Sequence, residues 1–383
     1  MNNNYFDMIA KTMMGLEEVL ADELVNIGAI NVNILSRAVS FKGDNNIMYR
    51  ANLWCRTALR VLKIIKVFDA KNESELYDEV SRIDWQQWMN THDTIAVDCT
   101  LNSSNFSNSV FVSQRTKDAI VDQFRHKTGQ RPSVNLDNPA IRLNIHVSGD
   151  SCTLSVDSSG KSLHKRGYRK FTPPAPINEV LAAGLIKLSG WDLHSNFIDP
   201  MCGSGTILTE AALMALNIPP GYYQKKFAFE NLPDFNSQLW NNIKNEIPSS
   251  IGEFDGEIIG SDISKDAVDM AHENIKTAGL HKDIKIVNKS ILEFEPPPGP
   301  GVVITNPPYG ERIGINNISD LYRSMGNAFK KFYNGYNVWV ISSDIDTIKL
   351  IGLHPSKKIK LFNGPLECRF IKFSIYEGSK KNM

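Results

Sequence analysis

Residues 197–216 contain the feature that most constrains the fold of this 383-residue chain. The short apolar run Phe197–Asp199 ends in a carboxylate and is followed by a turn that contains Gly203 and Gly205. Helical spacing of apolar residues then runs from Ile207 to Leu216. A strand, a glycine turn and a helix in this order are typical of an open α/β sheet, in which ligands bind beyond the carboxyl ends of the strands.

Strands and helices continue to alternate after residue 177. This alternation predicts a doubly wound, mostly parallel sheet covered by helices, with an antiparallel strand at its C-terminal edge. The predicted strands are Phe197–Asp199, Glu257–Ser261, Ile284–Val287, Val302–Thr305, Val338–Ser342 and, at that edge, Phe370–Tyr376.

The first 160 residues predict a smaller α+β region. Apolar residues at helical spacing indicate helices over 15–27 and 114–127, which end at Gly28 and Gly129. Runs rich in β-branched residues predict strands over 58–68, 95–101, 109–112, 141–147 and 152–157, of which the last two form a hairpin. The basic, proline-rich stretch 161–176 then separates the two regions, because Pro173, Pro174 and Pro176 fit poorly into a helix or a central strand.

Composition excludes several classes of protein. Lys plus Arg and Asp plus Glu both number 42, so the overall charge gives no sign of nucleic-acid binding. Five widely spaced cysteines form no Cys-x-x-Cys pair, and the eight histidines lack metal-ligand spacing; we therefore expect no disulfide framework and no metal. Neither a signal peptide nor a membrane-spanning apolar run is visible, which favours a cytoplasmic protein without a membrane association.

The glycine turn indicates a nucleoside-containing cofactor. The third glycine of the dinucleotide pattern is missing, and the acidic residue that follows the next strand, Asp262, lies much further along than in nicotinamide-binding proteins. The Gly-Lys-Ser/Thr of phosphate-binding loops is absent as well. S-Adenosylmethionine is therefore favoured, with Asp262 on the ribose hydroxyls. The alternatives are a tight structural turn and, for Asp262, a helix N-cap shared with Ser264.

The stretch Val302–Gly310 predicts the reactive site. A buried strand leads into Asn306-Pro307-Pro308-Tyr309, where the prolines lack N–H groups and have a fixed φ. The Asn306 side-chain oxygen and the Pro307 carbonyl can then accept hydrogen bonds from an exocyclic base amine, whose delocalised lone pair makes it a poor nucleophile. Tyr309 can stack on that base, which implies an unpaired or flipped nucleotide. A plain turn after a strand is the alternative.

At these motifs the sequence resembles class I S-adenosylmethionine-dependent methyltransferases that act on base amino groups. More narrowly, it resembles the bacterial 23S ribosomal RNA guanine-N2 methyltransferase family over nearly its whole length. Besides the two motifs, the resemblance rests on the joining stretch 163–169 (LHKRGYR), on 175–179 (APINE) and on the closing stretch 361–368 (LFNGPLEC).

The resemblance implies a ferredoxin-like region over 1–55, a THUMP RNA-binding domain over 56–160, a linker over 161–176 and a Rossmann-like methyltransferase domain over 177–383. It implies that Asn306, Pro307, Pro308 and Tyr309 hold the target base. Ser290 departs from the family, which commonly has Asp there for the adenine amine. The expected cofactor-binding residues are Asn178, Glu179, Asp199, Pro200, Cys202, Gly203, Ser204, Gly205, Thr206, Asp262, Ile263, Ser290 and Ile291.

Two segments are candidates for RNA contact. From Cys99 to Lys170 there are 11 basic and 5 acidic residues, and within this basic region Lys165, Arg166, Tyr168 and Arg169 are expected to bind RNA; a merely solvated charged face is the alternative. The insertion 219–247 mixes lysines with aromatic residues that could stack on bases. We favour instead packing of these rings onto the catalytic domain.

The expected function is methylation of a guanine N2 amine in 23S ribosomal RNA, with no obligate protein partner. A tRNA guanine-N2 methyltransferase is the principal alternative, because it can carry the same domains and motifs. A DNA adenine methyltransferase would leave the basic domain with the predicted hairpin without a purpose. A non-catalytic RNA-binding assembly factor with a vestigial cofactor pocket is the alternative outside the enzymes.

Overall fold

The computed structural model describes residues 5–102, 105–171, 176–308 and 318–375. These residues form two compact units, each with its own sheet. The first unit contains the residues up to Thr12, Ala21–Leu163 and Gln224–Asn245. The second unit contains Met13–Leu20, His164–Tyr223 and the residues from Glu246 onward. Each unit is thus assembled from separate stretches of the chain.

The first unit is built on an eight-stranded sheet of order β2-β3-β1-β4-β8-β7-β5-β6. Its pairings are antiparallel except those of β5 with β6 and with β7, which are parallel. The strands are β1 Phe6–Lys11, β2 Ile30–Leu35, β3 Ala38–Gly43, β4 Arg60–Asp69, β5 Thr94–Asn102, β6 Ser133–Val134, β7 Ile141–Ser148 and β8 Ser151–Asp157. The helices before residue 163 are α1 Glu17–Asn26, α2 Asn45–Trp54, α3 Glu73–Ser81 and α4 Ser109–Thr128.

The α4 helix corrects one sequence prediction. Residues 109–112 were expected to form a strand because they are β-branched and aromatic, yet they make the first turn of this helix. The Asn108 side chain caps it by accepting hydrogen bonds from the N–H groups of Val110 (2.9 Å) and Phe111 (3.2 Å). An N-cap of this kind outweighs weak local β propensity. The predicted end is confirmed, since Gly129 closes the helix with φ +74°.

The aromatic residues of the insertion from Phe227 to Trp240 pack within the first unit. The Phe229 ring stacks on Tyr49 of α2 with ring centroids 4.3 Å apart, and Trp240 lies edge-on to Phe229 at 5.1 Å. The Tyr49 hydroxyl also accepts a hydrogen bond from the Asn236 N–H (3.0 Å). The expectation that these rings pack onto the catalytic domain is therefore wrong for this portion of the insertion. Tyr223, in contrast, belongs to the second unit, where its hydroxyl donates to the Ala278 carbonyl (2.6 Å).

The second unit is built on a seven-stranded sheet of order β11-β10-β9-β12-β13-β15-β14. As predicted, its first five strands are parallel and the C-terminal edge is antiparallel. The strands are β9 Asn196–Asp199, β10 Ile258–Asp262, β11 Ile284–Asn288, β12 Gly301–Thr305, β13 Tyr336–Ser342, β14 Pro355–Asn363 and β15 Leu366–Ser374. The remaining helices are α5 Glu179–Ser189, α6 Thr206–Ala215, α7 Ser237–Ser250, α8 Lys265–Thr277, α9 Ile318–Phe332 and α10 Ile345–Lys349.

The burial of the strands in this second sheet explains why the sequence pattern predicted them. All five residues of β12 are buried, and β9 carries Phe197, Ile198 and Asp199 into the interior, as expected for strands covered on both faces. The edge strand β14 was missed because its exposed positions include Lys357 and Lys358, which conceal the apolar alternation. Tyr376, the predicted end of the last strand, lies outside the described residues.

The described residues contain neither a helix suited to crossing a membrane nor a disulfide. None of the helices in this portion of the chain has the length and apolarity that a bilayer crossing requires. Cys55, Cys99, Cys152, Cys202 and Cys368 are all free thiols.

Replacing Phe229 with Ala should destabilise the first unit by about 3–5 kcal/mol, because it removes a fully buried ring from the cluster around Tyr49. Chemical unfolding and hydrogen exchange of the α2 amides would measure the loss. Tyr222→Ala is the matched control, since this ring of the same insertion is 50% exposed. Equal stability of the two variants would contradict the packing described.

Candidate active site

Asp199 forms the buried centre of the candidate site, at the end of β9. Asp199 is 1% exposed, and its carboxylate accepts a hydrogen bond from the Met201 N–H (3.2 Å). Burial raises the pKa of this carboxyl to about 7; the Met201 N–H and the Thr305 hydroxyl oppose that rise, and the charge of Asp262 adds to it. Asp199 is thus an acid that titrates near neutrality, at the edge where ligands bind in open α/β sheets.

The glycine turn after Asp199 leaves room beside the backbone. Gly203 has φ +53°, and a Cβ built on it would meet no atom within 4 Å. Gly205 has φ +78°, begins helix α6 as its N-cap, and lies close to Ala271 of α8, where a Cβ would come within 3.3 Å. The first glycine therefore opens a cradle and the second allows close packing. Because this cradle lies at the N-terminus of α6, it favours a ligand with a negatively charged group.

Asp262, at the end of β10, is fixed over this turn. Its carboxylate accepts hydrogen bonds from the N–H groups of Gly203 (2.9 Å) and Ser264 (2.9 Å). The N-cap of α8 is Ser264, whose hydroxyl accepts from the Ala267 N–H (3.3 Å), so Asp262 does not have that structural role. The next side chain, Ile263, is 74% exposed. A carboxylate beside an exposed apolar side chain suits a nucleoside, which has both hydroxyl groups and a flat base.

The stretch after β11 lies next to Asp262. Asn288 donates hydrogen bonds from its side chain to the carbonyls of Asp262 (2.8 Å) and Ile263 (3.1 Å). Ser290 begins a tight turn, in which its hydroxyl accepts from the Leu292 N–H (3.2 Å). The Ile291 side chain is 3% exposed and belongs to the hydrophobic core, so a ligand could meet only the backbone of this residue.

Asn178 and Glu179 begin helix α5, and both side chains are occupied. The Asn178 side chain caps the helix by accepting from the Val180 N–H (2.9 Å). Glu179 is buried and pairs with Arg169, whose Nε lies 3.2 Å from a carboxylate oxygen. Burial raises the pKa of Glu179, and the Arg169 charge opposes that rise. Pro200, Cys202, Ser204 and Thr206 are buried residues of the turn itself.

The Asn306-Pro307-Pro308 loop leaves the end of β12, directly beside β9. The register pairs Val303 with Ile198, so the loop follows Thr305 at the strand end adjacent to Asp199. Asn306 and Pro308 are half-buried and Pro307 is buried. The Pro308 carbonyl accepts a hydrogen bond from the Tyr322 hydroxyl (3.3 Å), which fastens the loop to α9. Tyr309, the fourth residue of the motif, lies outside the described residues.

The joining stretch does not form the expected RNA-binding patch. Arg166 and Tyr168 are 3% and 1% exposed, and the Arg166 Nε (3.3 Å) and the Tyr168 hydroxyl (2.9 Å) both donate to the same Glu210 carboxylate oxygen. The expected RNA contact is therefore wrong for these two residues, since their polar atoms are directed into the second unit. The Arg169 side chain is largely buried as well, and only Lys165 of the four is exposed.

Three residues of the site were not found from the sequence. Glu210 is the single carboxylate within the apolar helix α6. A charge isolated in an apolar helix could have identified it as a functional residue. Tyr322 and Asn274 act through contacts with residues distant in sequence. Within the described ranges, no three His, Cys, Asp or Glu residues cluster in a way that could hold a metal ion.

A glycine cradle, a carboxylate over it and an acceptor-rich loop thus meet at three adjacent strand ends. The turn lacks the third glycine of the dinucleotide pattern, and the sheet is parallel with an antiparallel C-terminal edge. These features place the chain among class I S-adenosylmethionine-dependent methyltransferases.

Comparison with known proteins defines the group further. Residues 166–372 match the family model described as "RMKL-like, methyltransferase domain", residues 70–157 match the THUMP domain and residues 7–62 the RlmL ferredoxin-like domain.

The chain belongs to this RMKL-like family of RNA methyltransferases. It is 37% identical to a Synechocystis protein named "Putative RNA methyltransferase slr0064", with 97% of each chain covered. It is 37% identical to the ribosomal RNA large subunit methyltransferase K/L of Syntrophotalea carbinolica over 95% of this chain but 53% of that protein. The chain therefore spans about half the length of its relatives of the K/L type.

A solved structure covers nearly the whole chain. The crystal structure of SMU.472 complexed with SAH is 30% identical, has a TM-score of 0.88 and covers 99% of this chain and 100% of that one. SAH is the product that S-adenosylmethionine leaves after methyl transfer. The predicted fold class and the predicted cofactor are thereby confirmed.

Asp199→Asn should stabilise the protein increasingly as pH rises. Because the folded pKa of about 7 lies above the ordinary value of 3.8, the folded state holds a proton between these values that the unfolded state has lost. Stability from this group therefore falls as pH rises through that window, and the uncharged Asn removes the fall. The gain should be absent below pH 4 and reach on the order of 4 kcal/mol above pH 7.

Denaturant unfolding of both proteins from pH 4 to pH 8 measures this difference. Asp346→Asn is the control, since it makes the same exchange of a carboxylate for an amide in the same unit, at a side chain that is 92% exposed. Parallel stability curves for Asp199→Asn and the unaltered protein would mean that Asp199 is not an unusually weak acid.

Proposed function

We propose that the chain methylates the exocyclic N2 amine of a guanine in large-subunit ribosomal RNA. The observation that carries this proposal is the Asn306-Pro307-Pro308 loop at the end of β12, next to the strand end that bears Asp199 and the glycine cradle. An amine held in this loop lies beside the edge of the sheet where a methyl donor would bind.

The loop suits an amine because it offers oxygens without competing donors. Pro307 and Pro308 have no N–H, so the Asn306 side-chain oxygen and the Pro307 carbonyl can each accept one hydrogen of an NH2 group. Two such acceptors favour a pyramidal nitrogen and stabilise the positive charge that develops on it. The hydrogen bond from Tyr322 to the Pro308 carbonyl keeps the loop in one position. Rigidity here matters because a small displacement of the reacting atoms is costly.

The cofactor would be held by the residues of the cradle and the strand ends. S-Adenosylmethionine supplies a methyl group that its sulfonium has already activated, so orientation matters more than a strong base. Asp262 would accept from the ribose hydroxyls, and Ile263 would pack on the adenine. The residues proposed to line the rest of the cofactor site are Asn178, Glu179, Asp199, Pro200, Cys202, Gly203, Ser204, Gly205, Thr206, Ser290 and Ile291.

No residue of the loop needs to act as a strong base. An amide oxygen cannot keep a proton at neutral pH, so Asn306 orients the amine and the surplus proton leaves to water after methylation. Tyr309 is proposed to stack on the base. Such a base must be unpaired or flipped, because a paired guanine would keep its N2 amine within the helix.

The RNA substrate is proposed from the relatives and the first unit. Relatives such as that of Syntrophotalea carbinolica are named ribosomal RNA large subunit methyltransferases, which favours 23S RNA over tRNA. We propose that the ferredoxin-like region over 1–55 and the THUMP domain over 56–160 dock RNA through phosphate contacts, with 161–176 joining them to the catalytic domain over 177–383. Phosphate contacts of this kind weaken with salt and do not choose the nucleotide. The choice of base would then depend on the loop at β12.

Asn306→Ala should abolish methyl transfer with little effect on cofactor binding. Loss of one preorganised transition-state contact typically costs about 10²–10³-fold in turnover. Purified protein would be incubated with S-adenosylmethionine and unmodified large-subunit ribosomal RNA, and the digested nucleosides measured by mass spectrometry. We expect N2-methylguanosine from the unaltered chain, a loss of that size in the variant, and dissociation constants for S-adenosylhomocysteine within about twofold of each other.

Asn337→Ala is the matched control, because this half-buried Asn lies near the start of the neighbouring strand β13, at the opposite end of the strands from the Asn306 loop. N6-Methyladenosine as the product would overturn the assignment to guanine, and methylation of tRNA alone would overturn the assignment to ribosomal RNA. Cofactor binding without transfer to either RNA would favour a non-catalytic assembly factor.

A further inference from the structure

Asn274 of helix α8 has a side chain whose hydrogen-bonding capacity is fully used. The residue is 1% exposed. Its amide nitrogen donates to the carbonyls of Phe171 (3.1 Å) and Ser204 (3.2 Å), and its oxygen accepts from the N–H groups of Lys170 (2.8 Å) and Phe171 (3.0 Å). An amide side chain has two donors and two acceptor positions, and all four are satisfied here. Such a residue is highly specified by its surroundings.

These four bonds join two segments of the second unit that are distant in sequence. Ser204 lies between Gly203 and Gly205 in the turn that forms the cradle. Lys170 and Phe171 directly follow the joining stretch and are bound to α8 through their backbone groups. Asn274 thus fastens this end of the joining stretch to the α8 helix and, through the same amide, holds the peptide group of the turn.

The neighbouring Arg169 fastens the same stretch a second time. Its guanidinium donates to the Ile177 carbonyl (2.8 Å) and to the Thr206 hydroxyl (2.9 Å), and it pairs with Glu179. Thr206 is the first residue of α6, and Ile177 directly precedes the cap of α5. The joining stretch is therefore bound to the first residue of α6, directly after the turn, and to the start of α5.

A turn with two glycines needs contacts from other segments to hold its conformation. Gly203 and Gly205 adopt left-handed conformations and have no side chain of their own to restrict them, and glycine loses more conformational freedom on ordering than any other residue. A turn that orders only when the ligand binds would lose affinity by the cost of that ordering. The bond from Asn274 to the Ser204 carbonyl fixes the peptide between the two glycines before any ligand is present.

We propose that Asn274 is a positioning residue for cofactor binding, which acts through the Ser204 carbonyl, and that the joining stretch belongs to the scaffold of the cofactor site. This inference rests on the proposed assignment of the glycine turn to the cofactor. It gives the conspicuous basic and aromatic residues of 165–171 a role in the second unit in place of the RNA contact expected from the sequence.

Asn274→Asp separates the two hydrogen bonds that the Asn274 side chain donates from the two that it accepts. Aspartate keeps the acceptors for Lys170 and Phe171 but loses both donors, and its charge repels the Ser204 carbonyl. We expect the dissociation constant for S-adenosylhomocysteine, measured by calorimetry well below the melting temperature, to rise about tenfold or more. The KM for S-adenosylmethionine should rise with it, while kcat at saturating cofactor stays within about twofold.

Asn52→Asp is the matched control in the first unit. Asn52 is also 1% exposed, and its amide nitrogen donates to the Met48 carbonyl (2.9 Å) and the Ser158 hydroxyl (2.8 Å), while its oxygen accepts from the Ser159 hydroxyl (2.6 Å). Both variants should melt at lower temperature, since each loses two buried donors. Only the Asn274 variant should lose cofactor affinity. Asn274→Ser, which removes the amide and all four of its bonds without adding a charge, replaces the aspartate variant if the latter does not fold.

The outcomes are distinct. An unchanged dissociation constant in the Asn274 variant, or an equal loss of affinity in Asn52→Asp, would overturn the positioning role and leave the proposed site intact. If a Gly203→Val variant bound S-adenosylhomocysteine as tightly as the unaltered chain, the assignment of the turn to the cofactor would be overturned instead.

Discussion

The hydrogen bond from the Gly203 N–H to the Asp262 carboxylate joins the ends of strands β9 and β10. It fixes the glycine turn in a left-handed conformation and also holds the carboxylate over the cradle. The other elements of the site are arranged around this contact. Asn288 holds the backbone on the far side of Asp262, Asn274 holds the peptide within the turn, and β12 brings the Asn-Pro-Pro loop to the adjoining strand end.

Local sequence predicted those features that depend on local physics. The glycine turn, the acid at the end of β9 and the buried strand before Asn306 follow from composition and periodicity, because parallel strands covered on both faces must be apolar. Residues 109–112 show the limit of such reasoning. Their side chains suit a strand, but a single capping Asn and the helical pattern that follows determine the outcome.

The remaining features depend on partners distant in sequence. The basic residues of the joining stretch could not be divided into exposed and buried ones, since the carboxylate that pairs with Arg166 belongs to Glu210, inside an apolar helix. The rings of the insertion are apolar enough to be buried, yet nothing in their own sequence identifies Tyr49 as their partner. Asn274 gives no local signal, because its bonds reach 70 and 103 positions along the chain.

The two units divide the work of an RNA-modifying enzyme in a way that the proposed function requires. In the proposed function, the unit with the THUMP domain docks RNA without selecting a base, whereas selection needs rigid acceptors at one point. Arg166 and Tyr168 are instead bonded to Glu210 of helix α6, and Arg169 is bonded to Thr206 at the start of that helix. Charge in the sequence is therefore a poor guide to RNA contact unless the burial of each side chain is known.

A crystal structure of the chain with bound S-adenosylhomocysteine tests the central claim most directly. The account predicts that the ribose hydroxyls lie within hydrogen-bonding distance of the Asp262 carboxylate, with the amino-acid end of the ligand against residues 203–206 and the Asn306 side chain facing its sulfur. A ligand bound elsewhere, or an Asn306 directed away from the cradle, would contradict it.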